Sequence, residues 1–395
     1  VTETLIRNIR PFGGPASDVL VRDDRIAATG PALPLPPGCD AIDGGGALLL
    51  PGLIEGHTHL DKTVWGGAWY RNAVGPTRLD RIQNERAWRA PSGHDAAARS
   101  LDLARAFLAN GTTRMRSHAD IDPDIRLRHV HATMQTREAL SGRMEIQIVA
   151  FPQSGIVGQT GVADLMDAAL ADGADVVGGI DPCAIDRDPV RHLDVLFDLA
   201  VKHRKPLDIH LHEPGEMGAF SLDLILERTE ALGLHGQVVI SHGFCLGMIP
   251  PADRDALLAR MARVDMRIAT TAPASSPVPP LAICRAAGVT VFGGNDGIRD
   301  TWTPYARPDM LDRAMHIGLR NALRRDDELD GALDCVTAAA ARGCGFADYG
   351  LAAGCRADLV LIDAETVAAA VVDAPVRRLV LSGGRVVARD GKLAN

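Results

Sequence analysis

No stretch of this 395-residue chain approaches the roughly 20 uninterrupted apolar residues of a membrane-spanning helix. The opening residues Val1 to Arg10 lack the charged-then-apolar layout of a signal peptide, so a cytoplasmic protein is the expectation. Positive charge is not in surplus: 42 Lys and Arg against 50 Asp and Glu leave −8. That balance argues against nucleic acid or an anionic membrane as partner, because both are held by clustered basic side chains. The seven cysteines never stand as C-x-x-C and are odd in number, which points away from a disulfide framework or a thiolate zinc cluster. No G-x-G-x-x-G phosphate loop follows a strand-like run, and the H-x-E with P-C-x-x-C pattern of nucleic-acid deaminases is absent. A small molecule is left as the expected partner, and self-association into a homo-oligomer stays open.

With 46% hydrophobic and 23% charged residues, the chain has the composition of an ordinary folded protein. From Leu48 onward, short β-rich runs alternate with stretches of helical periodicity. The runs are Leu48 to His57, Thr113 to His118, Glu145 to Phe151, Asp175 to Ile180, Leu207 to His212, Val238 to His242, Arg267 to Thr271 and Val289 to Gly293. Amphipathic stretches between them include Asp95 to Asn110, Val162 to Ala171, Pro189 to His203 and Leu222 to Leu232. Eight βα units predict an α/β fold, a (β/α)8 TIM-like barrel over residues 51–344. The two ends carry short alternating strands broken by Gly, Asp and Pro. Neither holds enough residues for a core alone, so residues 1–50 and 345–395 are expected to combine into a small β-sandwich.

Barrel enzymes place their chemistry where strands end at the C-terminal face. The predicted ends carry Glu55-Gly56-His57-Thr58-His59, His210-Leu211-His212-Glu213, Ser241-His242 and Asn295-Asp296. Residues two apart on a strand face one side, so His57 and His59 can point at one ion. Imidazoles with a carboxylate suit Zn(II), Fe(II) or Mn(II). Pro214 and Gly215 after Glu213 rule out an H-E-x-x-H zincin helix and put Glu213 in a strand-end loop.

This constellation resembles the amidohydrolase superfamily, and more narrowly bacterial cytosine deaminase and its relatives. The resemblance rests on Gly52 to Lys62, Arg116-Ser117-His118-Ala119-Asp120, Gln147 to Gln153, Gly173 to Gly179 and Asn295 to Trp302. It implies one divalent metal ion, Zn or Fe(II) with Mn possible, held by His57, His59, His210 and Asp296. Binuclear relatives bridge two ions with a strand-four lysine, and no lysine lies between Lys62 and Lys202. His212 competes with His210 for the ligand role; the family pattern of His, two residues and Glu favours His210. The resemblance further implies that Glu213, His242 and Asp296 are catalytic, moving protons while water attacks the amino-bearing ring carbon. Gln153 would meet the carbonyl and NH edge of the ring, and Trp302 would pack near its plane.

The implied reaction is hydrolytic deamination of a small nitrogen heterocycle, cytosine or a 5-substituted cytosine such as 5-methylcytosine, with release of ammonia. Gly297 stands where cytosine deaminase commonly has a second aspartate, which is expected to free volume for a ring substituent. Asp296 to Trp302 is similar to triazine-processing relatives that remove an alkylamine, so an N-alkylamino-triazine or creatinine-type aminohydrolase is the alternative. A cyclic-amide ring-opening hydrolase is a further one, disfavoured by the missing bridging lysine and by Glu213. A non-catalytic barrel would show a degraded ligand set, and this set is intact.

Overall fold

The computed structural model describes residues 2–394, without the side chain of Ala90. Eight parallel strands form the expected barrel: β5 (Leu53–Thr58), β6 (Thr112–Asp120), β7 (Glu145–Phe151), β8 (Val176–Ile180), β9 (Leu207–Leu211), β10 (Val238–His242), β11 (Arg267–Thr270) and β12 (Val291–Gly293). Adjacent strands pair in sequence order, and a parallel bridge between Thr58 and Asp296 draws β12 to β5. That seam is reinforced inside: buried Glu55 accepts from the Asn295 amide side chain at 2.6 Å, and Arg313 donates to Asn295 Oδ1 at 2.8 Å.

The helices follow from their apolar stripes. In Ala96–Ala109 the buried positions are Ser100, Leu103, Ala104, Phe107 and Leu108, the i, i+3, i+4, i+7, i+8 pattern, and Asp95 caps the start by accepting from the Ala98 amide at 3.0 Å. Pro189–His203 has the bounds expected, with Pro189 in the first turn and Asp188 accepting from the Arg191 amide. The expected helix at Leu222 begins earlier and runs Gly215–Leu232. Its buried stripe opens with Gly218 and Ser221, which carry no hydrophobic signal.

The terminal segments meet, as expected, in a separate mixed sheet. Its strands are β1 (Glu3–Pro11), β2 (Ser17–Arg22), β3 (Arg25–Gly30), β4 (Asp40–Pro51), β13 (Leu359–Ile362), β14 (Arg377–Ser382), β15 (Arg385–Arg389) and β16 (Lys392–Leu393), in the order β16-β15-β14-β13-β4-β1-β2-β3. The sheet curls back on itself, since the Ile26 amide of β3 donates to Cys355 and the Ala357 amide donates to Asp24. Ile6, Val19 and Ile26 from the first half share one buried cluster with Leu359, Leu379 and Leu381 from the second, while Leu50, Val360 and Val380 pack into the barrel core. The single run expected from Leu48 to His57 is broken at Gly52 between β4 and β5. A Cβ there would stand 2.2 Å from Thr113 Oγ1, so only glycine lets the chain cross from the sheet into the barrel against β6.

Candidate active site

The strand ends bring the expected residues together at one end of the barrel. His57 and His59, two apart at the end of β5, both turn inward. His59 Nε2 lies 3.3 Å from Asp296 Oδ1 and 3.4 Å from His210 Nε2; His57 Nε2 lies 3.8 Å from the same Asp296 oxygen. His242 Nε2 is 4.0 Å from Asp296 Oδ2. Among the described residues three overlapping groups have candidate ligand atoms within 4.8 Å of one another: His57, His59, His118 and His210; His57, His242 and Asp296; and His59, Asp61 and Asp120. The four residues expected as ligands are thus divided between two groups that share His57 and are joined by the His59–Asp296 contact. His57 Nε2, His210 Nδ1 and His242 Nε2 are buried and have no hydrogen-bond partner among the described residues. Buried polar atoms without partners are costly, and the bare His57 Nε2 and His242 Nε2 facing the Asp296 carboxylate fit a cation.

The electrostatics favour lone pairs on the rings of His59, His118, His210 and His242. Burial, then the neighbouring Lys62 charge, lowers His59 to about 3; burial, then His57, lowers His118 to about 4. Burial and the crowd of surrounding histidines push His210 and His242 well below the usual value as well. Burial alone would raise Asp296, but the rings of His57 and His59 that face it, and the nearby His242, hold its carboxyl well below the ordinary range. Asp296 and His242 both sit at positive φ, 65° and 71°, in the turns that carry the chain off β12 and β10.

His212 joins none of these groups of candidate ligands. Its Nδ1 meets Asp181 Oδ2 at 2.9 Å, Arg78 pairs with the same oxygen at 2.9 Å, and its ring stacks on His242 with centroids 4.1 Å apart. Glu213 lies in the connection between β9 and the helix Gly215–Leu232, with Oε1 accepting from the Ala184 amide at 2.7 Å and Oε2 bonded to the Ser221 hydroxyl. Burial raises the Glu213 carboxyl, the direction that suits a proton donor.

Gln153 and Trp302 are brought together by Lys62. The buried ammonium donates to Gln153 Oε1 at 2.7 Å and lies 5.2 Å from the Trp302 ring centre. Lys62 also faces Asp120 at 3.4 Å and Glu85 at 3.9 Å. Glu85 and Arg89 come from α1 (Arg78–Ser92), and Arg89 binds Glu85, Asp120 and Asp122 together. At Gly297 the carboxylate of Asp300 stands where a side chain would begin. A Cβ at Gly297 would stand 2.0 Å from Asp300 Oδ2, while Asp300 Oδ1 accepts from the Trp302 and Thr303 amides.

Reading by motif passed over His118 and the role of Lys62 in joining the pocket. The signal for the first was present, because Arg114, Arg116, His118 and Asp120 alternate along β6 and a strand that is buried throughout must send every second one into the barrel.

The comparisons with known proteins agree with this geometry. A family model described as the amidohydrolase family matches residues 40–388. The crystal structure of N-isopropylammelide isopropylaminohydrolase from Burkholderia multivorans ATCC 17616 superposes with a TM-score of 0.98 at 62% identity, over 100% of both chains. N-isopropylammelide isopropyl amidohydrolase of Pseudomonas sp. (strain ADP) is 28% identical over 363 residues, 89% of this chain and 88% of that one. The 5-methylcytosine deaminase of Klebsiella pneumoniae liganded with 5-fluorocytosine is more distant, at 26% identity and a TM-score of 0.86 over 98% and 97% of the chains. With a full barrel, a matched terminal sheet and a family model covering most of its length, this chain belongs to the amidohydrolase family and is a hydrolase of carbon–nitrogen bonds.

Proposed function

We propose that this enzyme hydrolyses the exocyclic C–N bond of an N-alkylamino-triazine bearing ring carbonyls, of the N-isopropylammelide type, releasing the alkylamine. The observation that carries this reading is the 62% identity over the full length with an isopropylaminohydrolase, against 26% with the 5-methylcytosine deaminase. It favours the triazine alternative over cytosine or 5-methylcytosine.

The donor set supports it. Lys62 occupies the carbonyl oxygen of Gln153, so the amide is left to present its NH2 group, and the ammonium itself is a donor only. The Gln153 NH2 group and the Lys62 ammonium supply donors that suit a ring with two oxo groups. Cytosine offers a single carbonyl. Trp302, fixed through its indole NH to Glu85, gives the ring a flat apolar surface.

His57, His59, His210 and Asp296 are the residues that would hold one divalent ion. Bound there, the ion would supply the Lewis acidity that makes water a nucleophile at neutral pH. His242, beside Asp296, accepts the proton from the attacking water. Glu213 protonates the ring nitrogen next to the reacting carbon, His242 passes its proton to the departing amine as the C–N bond breaks, and the new hydroxyl returns its remaining proton to Glu213. The new C–O bond becomes a ring carbonyl. The test is to incubate metal-quantified protein with N-isopropylammelide and with 5-methylcytosine and to identify the released amine by mass. Isopropylamine from the first at the higher kcat/KM supports the proposal, and ammonia from the second with the triazine untouched overturns it.

A further inference from the structure

Beneath the candidate ligands a line of buried polar contacts leads away from the cavity. Arg116 Nη1 donates to Asp208 Oδ2 at 2.9 Å, Ser241 Oγ donates to Asp208 Oδ1 at 2.5 Å, and Ser241 Oγ lies 2.9 Å from His57 Nδ1. All four side chains are at most 2% exposed. Arg116 is anchored in turn by Gln147 and by the carbonyl of Cys344, so the line starts from a fixed point.

The proton positions follow from what each group can donate. Asp208, paired with a guanidinium, is a carboxylate and only accepts. Ser241 has one hydrogen, and Asp208 takes it. The serine oxygen then has only lone pairs for His57, so Nδ1 must carry the hydrogen between them. In a neutral imidazole the other nitrogen is bare, and His57 Nε2 is the one that faces Asp296 without a hydrogen-bond partner. His118 Nε2 stands 3.5 Å from the same Asp208 oxygen, too far to displace the serine at 2.5 Å.

We infer that Ser241 and Asp208, backed by Arg116, are positioning residues that lock His57 in the tautomer whose bare Nε2 faces the cation site, and that they thereby set how tightly the ion is held. The inference rests on the proposal that His57 binds a metal. It adds that the metal affinity is governed from β9 and β10, by residues that touch neither ion nor substrate. Removing a partner of this kind typically lowers metal affinity by about 10- to 100-fold.

The experiment follows zinc release from the full-length, zinc-loaded protein into an excess of chromophoric chelator. Ser241→Ala is expected to release zinc about 10- to 100-fold faster than the unaltered protein, and Ser241→Thr, which keeps the hydroxyl, to restore retention. A second measurement needs no variant: in zinc-loaded protein carrying 15N-histidine, His57 is expected to show hydrogen on Nδ1, exchanging slowly with solvent. Ser241→Ala holding zinc as long as the unaltered protein, or His57 with no hydrogen on Nδ1, overturns the inference. Failure of the unaltered protein to take up zinc, iron or manganese would instead overturn the metal reading on which it rests.

Discussion

Lys62→Met removes a buried cation while keeping a side chain of similar length, and the structure gives the size of the effect. The ammonium is 4% exposed and faces Gln153, Asp120 and Glu85. Breaking a buried ion pair by deleting one partner costs about 3–5 kcal/mol, because the other charge stays behind unpaired. Here Arg89 still binds both carboxylates, so the lower end applies. At about 2 °C per kcal/mol for a large domain, a loss of about 3 kcal/mol lowers the melting midpoint by about 6 °C. The pH dependence has a definite sign. Burial would raise Glu85, but Arg89 and Lys62 outweigh it and hold it at about 2. A carboxyl depressed in the folded state contributes stability above its unfolded value, near 4.5, and loses it as pH falls toward 2. The gap between the two proteins is therefore full at pH 7 and narrows at pH 3.5. Melting followed by circular dichroism at both values measures it. Equal midpoints at pH 7, or a gap that widens on acidification, would refute the reasoning.

Other substitutions probe separate parts of the site. Glu213→Gln is expected to lower kcat by about 10²- to 10⁴-fold with metal content unchanged, read by steady-state kinetics beside metal analysis. Asp181→Asn removes the charge that orients His212, so kcat is expected to fall at least several-fold while Asp181→Glu recovers part of it; equal rates for both variants would remove Asp181 from the account. Gly297→Ala forces Asp300 to move, since the new Cβ would lie 2.0 Å from its carboxylate. Overpacking of this kind costs about 1–3 kcal/mol, and KM should rise as the Trp302 turn shifts. Stripping a bound ion removes the stabilisation that binding gives, about 2.7 kcal/mol at a metal concentration of 100 Kd, seen as a lower midpoint after chelation that returns on reloading.

Much of the framework was legible because strong local signals agree with the tertiary outcome. The runs Glu145 to Phe151 and Val238 to His242 have the strand bounds read from them, and Pro189 to His203 has the helix bounds read from it, starting after the Asp188 cap. The convergence of His57, His59, His210 and Asp296 could be anticipated from their places at strand ends. What was hidden depends on contacts between distant segments. The break at Gly52 answers to Thr113, and the space at Gly297 is taken by Asp300. The network of Lys62 with Glu85 and Arg89 needs α1 to lie across the mouth of β5 and β6, and no periodicity in the sequence shows where a helix will dock. The start of the Gly215–Leu232 helix was masked by its own small and polar buried residues.

The most direct test of the central claim is a competition. The metal-loaded enzyme, given N-isopropylammelide and 5-methylcytosine together, is followed by mass spectrometry of both rings and both amines. Isopropylamine and a ring carrying oxygen in place of the alkylamino group are expected, with 5-methylcytosine largely unchanged. Preferential loss of ammonia from 5-methylcytosine would contradict it.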